Sequence, residues 1–360
     1  MRNRYFFQLG SSQFLEIGPD GGGIPPGYEY FRRAFAEIER SGRVSGLTFV
    51  LVLNAAVDIP VYGPDVVVVM IGEEDFRVPP YAHRVRAVFR SFGERPYLDR
   101  RPGADMTSVA HLLQWLRCWG HRARSGLSAR LGARRAGEGW APAPCWPIPP
   151  GYDDQLDLDP PPILERTRDV AFEGSIGVRR AAGFSVKDLI GSARSRSRSA
   201  MVESLGRYRE ARPGRNVLLT VTTDYFASRK AGPEAYSRKL ADTKICVVPR
   251  GNLAETCRYL QALRYGCVVV AEPQPDHWFY RGSPAFTLRS WDGLPALLDR
   301  LLDDPALLEE RSRAALAWWE AVGSEAVAGT YMAETLRRMT AVEAVAEAPP
   351  SPRVGAAMET

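Results

Sequence analysis

The 360-residue chain carries 47 Lys and Arg against 42 Asp and Glu, a formal charge of +5, with 45% hydrophobic and 25% charged residues. That balance suits a globular protein of two domains, each with its own core, and is too modest a positive excess to specify a nucleic-acid partner. Five cysteines (Cys118, Cys145, Cys246, Cys257 and Cys267) fall at no metal-ligand spacing, and an odd number without a disulfide framework fits a reducing compartment. The start, MRNRYFFQLGSSQ, has neither the apolar run nor the cleavage site of a signal peptide. The longest apolar run, Val66–Ile71, is of strand length. The expectation is a cytoplasmic protein with no transmembrane segment, which leaves room for peripheral membrane contact.

Tyr5–Leu9 has the pattern of a first strand and is followed by the Gly/Pro-rich loop GPDGGGIPPG. Phe31, Phe35 and Ile38 at helical spacing predict a helix over Tyr28–Glu39. Leu47–Leu53 and Val66–Ile71 are apolar throughout, as parallel strands buried on both faces are. Val85–Phe89 is a further short strand. Val109, Leu112, Leu113, Leu116 and Trp119 mark a helix over Ser108–Trp119. Proline and acids crowd residues 139–162 too densely for a regular core element. A linker over 141–162 therefore separates an N-terminal domain, 1–140, from a C-terminal domain, 163–345.

In the second half, Asp169–Glu173 is a strand, and Gly174-Ser175 turns into a helical region that ends near Arg209. Asn216–Thr222, Lys244–Val248 and Cys267–Ala271 are strands, with Ala285–Leu288 placed to close the sheet. Helices are expected at Glu234–Ala241, Leu253–Arg264, Trp291–Leu302, Pro305–Val322 and Glu325–Ala341. Strands alternating with helices imply βαβ units and a parallel sheet, an α/β fold. The tail over 346–360 has a disordered composition.

The segment richest in chemistry is KLADTKICVVPRGNLAETCRYLQALRYGCVVVAE. It places Arg250, Gly251 and Asn252 at the carboxyl edge of a sheet, where open α/β sheets bind ligands. Gly251 lets the backbone approach a ligand. Asn252 and Glu255 fit a capping box that orients the free amides of the next helix, and those amides suit a phosphate. Arg258 either pairs with Glu255 on the surface or reaches a diphosphate in bidentate fashion. Gly174 and Ser175, with Arg179 and Arg180 following, form a second turn of this kind. The run Arg194 to Ser199 (RSRSRS) is a solvated helix face or a patch for an acidic acceptor.

Glu73, Glu74 and Asp75 follow strand Val66–Ile71 and are candidates for a general base, against the alternative of a solvated loop. Glu73 ranks first, Asp75 second and His83, in the nearby PPYAHRV loop, third. His111 and His121 have structural settings, whereas His277 beside Trp278 and Tyr280 suits a sugar or base pocket. The chain has no phosphate-loop lysine motif, no GxGxxG turn, no nucleophile elbow and no zinc-ligand spacing.

From Tyr236 through KICVVPRGNLAETCRYLQALRYGCVVVAEPQPDHW the chain resembles the exostosin-like glycosyltransferases, which have the GT-B fold. Lys244, Cys246, Pro249, Arg250, Gly251, Arg258, Ala262, Leu263, Gly266 and Cys267 fall in register with that family's pattern. The upstream DVAFEGSIGVRR is similar to its "Phe-any-Gly" strand, so the likeness covers residues 165–290. Gln261 stands where the family has glutamate, Val269 where proline is common, and Thr256 and Cys257 replace a serine context. The resemblance implies two Rossmann-like domains facing across a cleft, with the C-terminal helix crossing back to the first. It implies a nucleotide-sugar donor held by Gly174, Ser175, Arg179, Arg250, the amides of 251–253 and Arg258. It further implies a carbohydrate or small-molecule acceptor on the N-terminal domain, and inverting transfer with neither metal nor cofactor. One of Glu73, Glu74, Asp75 or His83 would then be the base. The departure at Gln261 keeps open a non-catalytic carbohydrate- or nucleotide-binding protein on the same scaffold. An RNA-binding role for the Arg/Ser helix is the third alternative, and no nucleic acid is expected.

Overall fold

In the computed structural model, which describes residues 2–18, 27–98, 105–152, 155–176, 191–222 and 232–347, the strands assemble into two sheets. The first contains β1 (Arg4–Leu9), β2 (Gln13–Glu16), β3 (Thr48–Val52), β4 (Gly63–Met70), β5 (Val85–Arg90) and β6 (Cys145–Pro147) in the order β2-β1-β3-β4-β5-β6. Only β2 runs antiparallel to its neighbour. The second contains β7 (Arg168–Ser175), β8 (Val217–Thr222), β9 (Thr243–Val248), β10 (Val268–Ala271) and β11 (Phe286–Thr287), all parallel, in the order β11-β10-β9-β7-β8.

The apolar runs do what side-chain alternation along a strand dictates. In β4, Val67 and Val69 enter one core with Phe35 and Phe49, while Val66, Val68 and Met70 enter another on the opposite face. In β9, Cys246 and Val248 face the first of these cores, and Ile245 and Val247 face a third beneath the second sheet. One core is thus continuous across both halves of the chain.

That continuity comes from the C-terminus. Helix α1 (Glu29–Ser41) and the last helix, α8 (Glu325–Glu347), pack so closely that a Cβ on Gly329 would lie 2.3 Å from the Ala34 carbonyl oxygen. Tyr30 donates 2.9 Å to the Gly323 carbonyl, and Arg43 pairs with Glu334 at 2.9 Å. Two Rossmann-like α/β domains, with the last helix returned to the first, make this a GT-B architecture. Among the described residues, no helix is long and apolar enough to cross a membrane.

Three expectations are corrected. Cys145–Pro147, inside the proline-rich segment, is a strand: it pairs with β5 at the sheet edge, where the missing Pro147 N–H costs no ladder bond, and Trp146 packs 5.6 Å from Phe89. Helix α2 runs from Met106 to Arg135, far past Trp119, with Asp105 accepting 3.0 Å from the amides of Thr107 and Ser108 at its cap. Helix α8 takes in Ala346 and Glu347, which had been assigned to the tail. The rest of the tail, the glycine-rich stretch 19–26, and Arg179 and Arg180 lie outside the described residues.

The second sheet carries the feature that matters for ligands. The chain passes from β7 to β8 on one side and then to β9 on the other, so the strand order reverses at β7. Open α/β sheets form a crevice at the carboxyl ends flanking such a reversal. Here those ends are Gly174-Ser175 and Pro249-Arg250.

Candidate functional site

At the end of β7, a Cβ on Gly174 would lie 3.3 Å from Nη2 and 3.4 Å from Nη1 of Arg258, so this glycine lets the guanidinium lie against the strand backbone. Arg258, on helix α5 (Cys257–Arg264), is fixed by Nε donating 3.1 Å to the Tyr236 hydroxyl of α4 (Gly232–Ala241). Its guanidinium also sits 5.6 Å over the Phe172 ring. Two more arginines reach the same point from helix α3 (Ala193–Ala211). Arg194 donates 2.8 Å to the Ser175 hydroxyl. Arg198 donates 2.6 Å to the Ser175 carbonyl and 2.8 Å to the Arg250 carbonyl.

Arg198 is buried, and burial first, then the neighbouring charges of Arg258 and Arg194, pull its pKa down to about 9. Among the described residues no carboxylate forms an ion pair with Arg194, Arg198 or Arg258. Three gathered guanidinium groups with no directly paired carboxylate, on which Glu272 and Glu74 act only through longer-range attraction, suit an anion. The sequence left the RSRSRS run open between a solvated helix face and a patch for an acidic acceptor, and did not place it beside Ser175. The available signal was that Arg194 and Arg198 stand one helical turn apart on an element following β7.

The Arg250–Glu255 loop departs from expectation. Helix α5 starts at Cys257, capped by Thr256, whose hydroxyl accepts 3.1 Å from the Arg258 amide. Asn252 is therefore not the cap, Glu255 completes no capping box, and the amides of 251–253 are loop amides. The physical reason is Leu253, which is buried across the domain boundary with Phe76, Phe92 and Cys118 and holds the segment off the helix. The Arg250 amide donates 2.8 Å to Glu272, and its Nη1 lies 2.8 Å from Nδ1 and 3.0 Å from Nε2 of His111 on α2. Asn252 donates through Nδ2 to Glu74 and accepts from Gln114 through its carbonyl. Arg250, Asn252 and His111 thus join the two domains. Gly251 has ordinary backbone, and a Cβ there would meet only Glu255 O at 3.5 Å and Leu253 O at 3.6 Å, both at ordinary contact distance.

The three ranked base candidates do not face the second domain. Glu73 is 3% exposed, and its carboxylate is committed to the amides of Ala55 at 2.9 Å and Asp75 at 3.2 Å. Asp75 is shared among Arg77 at 3.2 Å, Arg117 at 3.2 Å and His121 at 3.3 Å. His83 lies at the opposite edge of the sheet, next to Arg84, whose carbonyl accepts from Gly63 at the start of β4; its Nε2 is 2.6 Å from Glu138. Glu74 is the member of the acidic run that looks across the cleft. Its carboxyl is raised mainly by burial, an effect opposed by the Asn252 hydrogen bond and by the charge of Arg194. The same rim holds two non-glycine residues with left-handed backbone, Phe76 at φ 58° and Phe92 at φ 65°. Such conformations cost about 1–3 kcal/mol each and gather at functional edges.

Glu255, expected near the Arg258 face, instead turns into a buried polar group beside the cleft. It is 1% exposed, accepts 3.2 Å from the Tyr97 hydroxyl of the first domain, and lies 3.8 Å from Nε2 of His277. Burial pushes its carboxyl up to about 8 and pulls His277 down to about 4, so both are neutral at neutral pH. Glu255 Oε1 and His277 Nε2 are buried without a hydrogen-bond partner among the described residues. In the unfolded chain Glu255 titrates near 4.5, so between that value and about 8 the folded protein retains a proton that the unfolded chain has lost. Stability therefore falls as pH rises through this window. Glu255→Gln is expected to raise the melting temperature more at about pH 8 than at about pH 5, read by calorimetry; an equal effect at both would place an ionised carboxylate there.

Among the described residues no three His, Cys, Asp or Glu side chains gather as a metal-binding group. No family model matches the chain, and no curated protein matches it in sequence. Solved structures similar to it in fold include the following. AviGT4, described as a glycosyltransferase involved in avilamycin A biosynthesis, is 14% identical with a TM-score of 0.43 over 95% of this chain and 98% of that one. Anabaena Alr3699/HepE in complex with UDP is 11% identical with a TM-score of 0.42 over 94% and 100%. A chain of the GtfA/B complex is 11% identical at a TM-score of 0.37, and this protein spans 58% of it.

Proposed function

We propose that this protein is a glycosyltransferase that moves a sugar from a nucleotide-sugar donor to an acceptor hydroxyl by a single inverting displacement without a metal ion. The observation that carries this reading is the Arg194–Arg198–Arg258 cluster at the strand-order reversal, none of whose guanidinium groups is directly paired with a carboxylate among the described residues. Cleaving the bond between the anomeric carbon and the diphosphate oxygen leaves negative charge on that oxygen. Preorganised guanidinium groups are suited to stabilise it. The likeness to the exostosin-like family at Tyr236, Pro249, Gly251 and Arg258 supports the same donor side. In this reading the C-terminal domain, 163–345, holds the donor and the N-terminal domain, 1–140, the carbohydrate or small-molecule acceptor. Glu74 takes the acceptor proton, while the neutral Glu255 and His277 hydrogen-bond sugar hydroxyls.

Calorimetric titration of a nucleoside diphosphate in the presence of chelator tests the electrostatics. Binding is expected undiminished by chelator. Binding that requires added magnesium or manganese would overturn the metal-free reading. Release of sugar or transfer to an acceptor, followed by chromatography, separates catalysis from mere recognition.

A further inference from the structure

Helix α2 has an outward face that the transferase reading does not use. From Met106 to Arg135 the helix contains six arginines (117, 122, 124, 130, 134 and 135) and no Asp or Glu, in a chain whose acids and bases nearly balance. His111, Cys118, Ala129 and Ala133 lie on the buried side. On the other side Leu113, Leu116, Leu127 and Leu131 recur at helical spacing, and Leu116 is 51% and Leu127 60% exposed. At 100° per residue, Arg117, Arg124 and Arg135 run along one margin of this stripe and Arg130 along the other. Exposed leucines flanked by arginine, with no acid on the helix, suit a segment lying in a membrane interface. Beside the stripe a pocket of about 500 Å³ opens between α2 and the sheet edge; it shares Trp119, Leu127 and Arg130 with that face and has Val88 and Trp140 behind.

We propose that α2 docks the protein on an anionic lipid surface, with its leucine stripe in the headgroup layer and the exposed Arg124, Arg130, Arg134 and Arg135 on lipid phosphates. Charge decides between this and a second copy of the chain. Pairing two such helices brings arginine against arginine with no acid on the helix to answer it, whereas an anionic bilayer supplies the missing charge. The N-terminal half of α2 also carries His111 and Gln114, which touch the donor-side loop, so docking sets the cleft next to the lipid surface.

The test is co-sedimentation of the full chain with vesicles of phosphatidylcholine alone and of phosphatidylcholine with about one-third phosphatidylglycerol. Binding is expected to the second only, weakening with salt. Leu116→Glu/Leu127→Glu is expected to lower the partition coefficient on the order of a hundredfold while the melting temperature holds, because both side chains are exposed. As a readout on the undisturbed helix, brominated lipid should quench part of the tryptophan emission, and that part should be missing in Trp119→Phe. Equal binding to neutral vesicles, no binding to either, or a dimer in light scattering that the double variant dissolves would each overturn the proposal.

Discussion

Glu74→Gln is expected to lower single-turnover sugar transfer by about 10²–10⁴, the usual contribution of a positioned general base, while donor affinity stays within about twofold. The amide keeps the shape of the side chain and an oxygen for the Asn252 hydrogen bond, so what is lost is the capacity to take a proton. Burial raises this carboxyl, and the acid limb of the pH–rate profile should therefore lie above the ordinary carboxylate range. Glu73→Gln provides the contrast. Its NH₂ group would be set against the amides of Ala55 or Asp75, which need an acceptor, so the expected loss is in stability, about 1–3 kcal/mol, and not specifically in rate. Wild-type transfer by a folded Glu74→Gln would move the base elsewhere.

Two adjacent glutamates with such different fates show where sequence reasoning stops. The apolar run Val66–Ile71 announces a buried strand, and the end of that strand announces a rim of carboxylates. Which carboxylate staples the loop and which faces across the cleft depends on Ala55 and Asn252, whose placement is tertiary. The same holds for Asn252 and Glu255, a locally sound capping box displaced because Leu253 gains more by burial between domains. Strand β2 escaped notice because most of its residues are exposed, and β6 because Pro147 and the flanking Pro144 conceal an edge strand. The second half of α2 was illegible for a related reason: its leucines face outward and only small residues, Ala129 and Ala133, are buried, so no large apolar stripe marks the inner face.

The sequence offered Gly174 and Ser175 as a small-residue turn and Arg258 as an arginine one turn into a helix, whereas Gly174 and Ser175 are the last paired residues of β7 and Arg258 is the second residue of α5. What could not be read was that Arg194, from the next helix, closes on Ser175 at a separation of 19 residues. The cluster therefore read as two independent weak signals, a glycine-serine pair and a polar run, which the fold brings into contact.

Arg258→Ala is the sharpest test of that site. Removing one preorganised donor from a developing oxyanion typically costs about 10²–10³ in turnover, and a loss of that size is expected here. Arg258→Lys is expected to recover little, since an ammonium lacks the planar fork that both rests on Phe172 and reaches a diphosphate. Stability separates this from misfolding. With Arg258 gone, Arg198 loses the larger of the two charges that lower its pKa, so the unliganded protein should melt no lower than wild type unless the Tyr236 hydrogen bond outweighs that relief. Tyr236→Phe measures the latter contribution alone. A nucleoside diphosphate at about 100 times its dissociation constant stabilises wild type by about 2.7 kcal/mol, and at that same concentration the shift should largely vanish in Arg258→Ala. A folded variant with an undiminished ligand shift and normal turnover would show that the guanidinium beside Gly174 only packs against the strand, and the anion would have to be sought elsewhere.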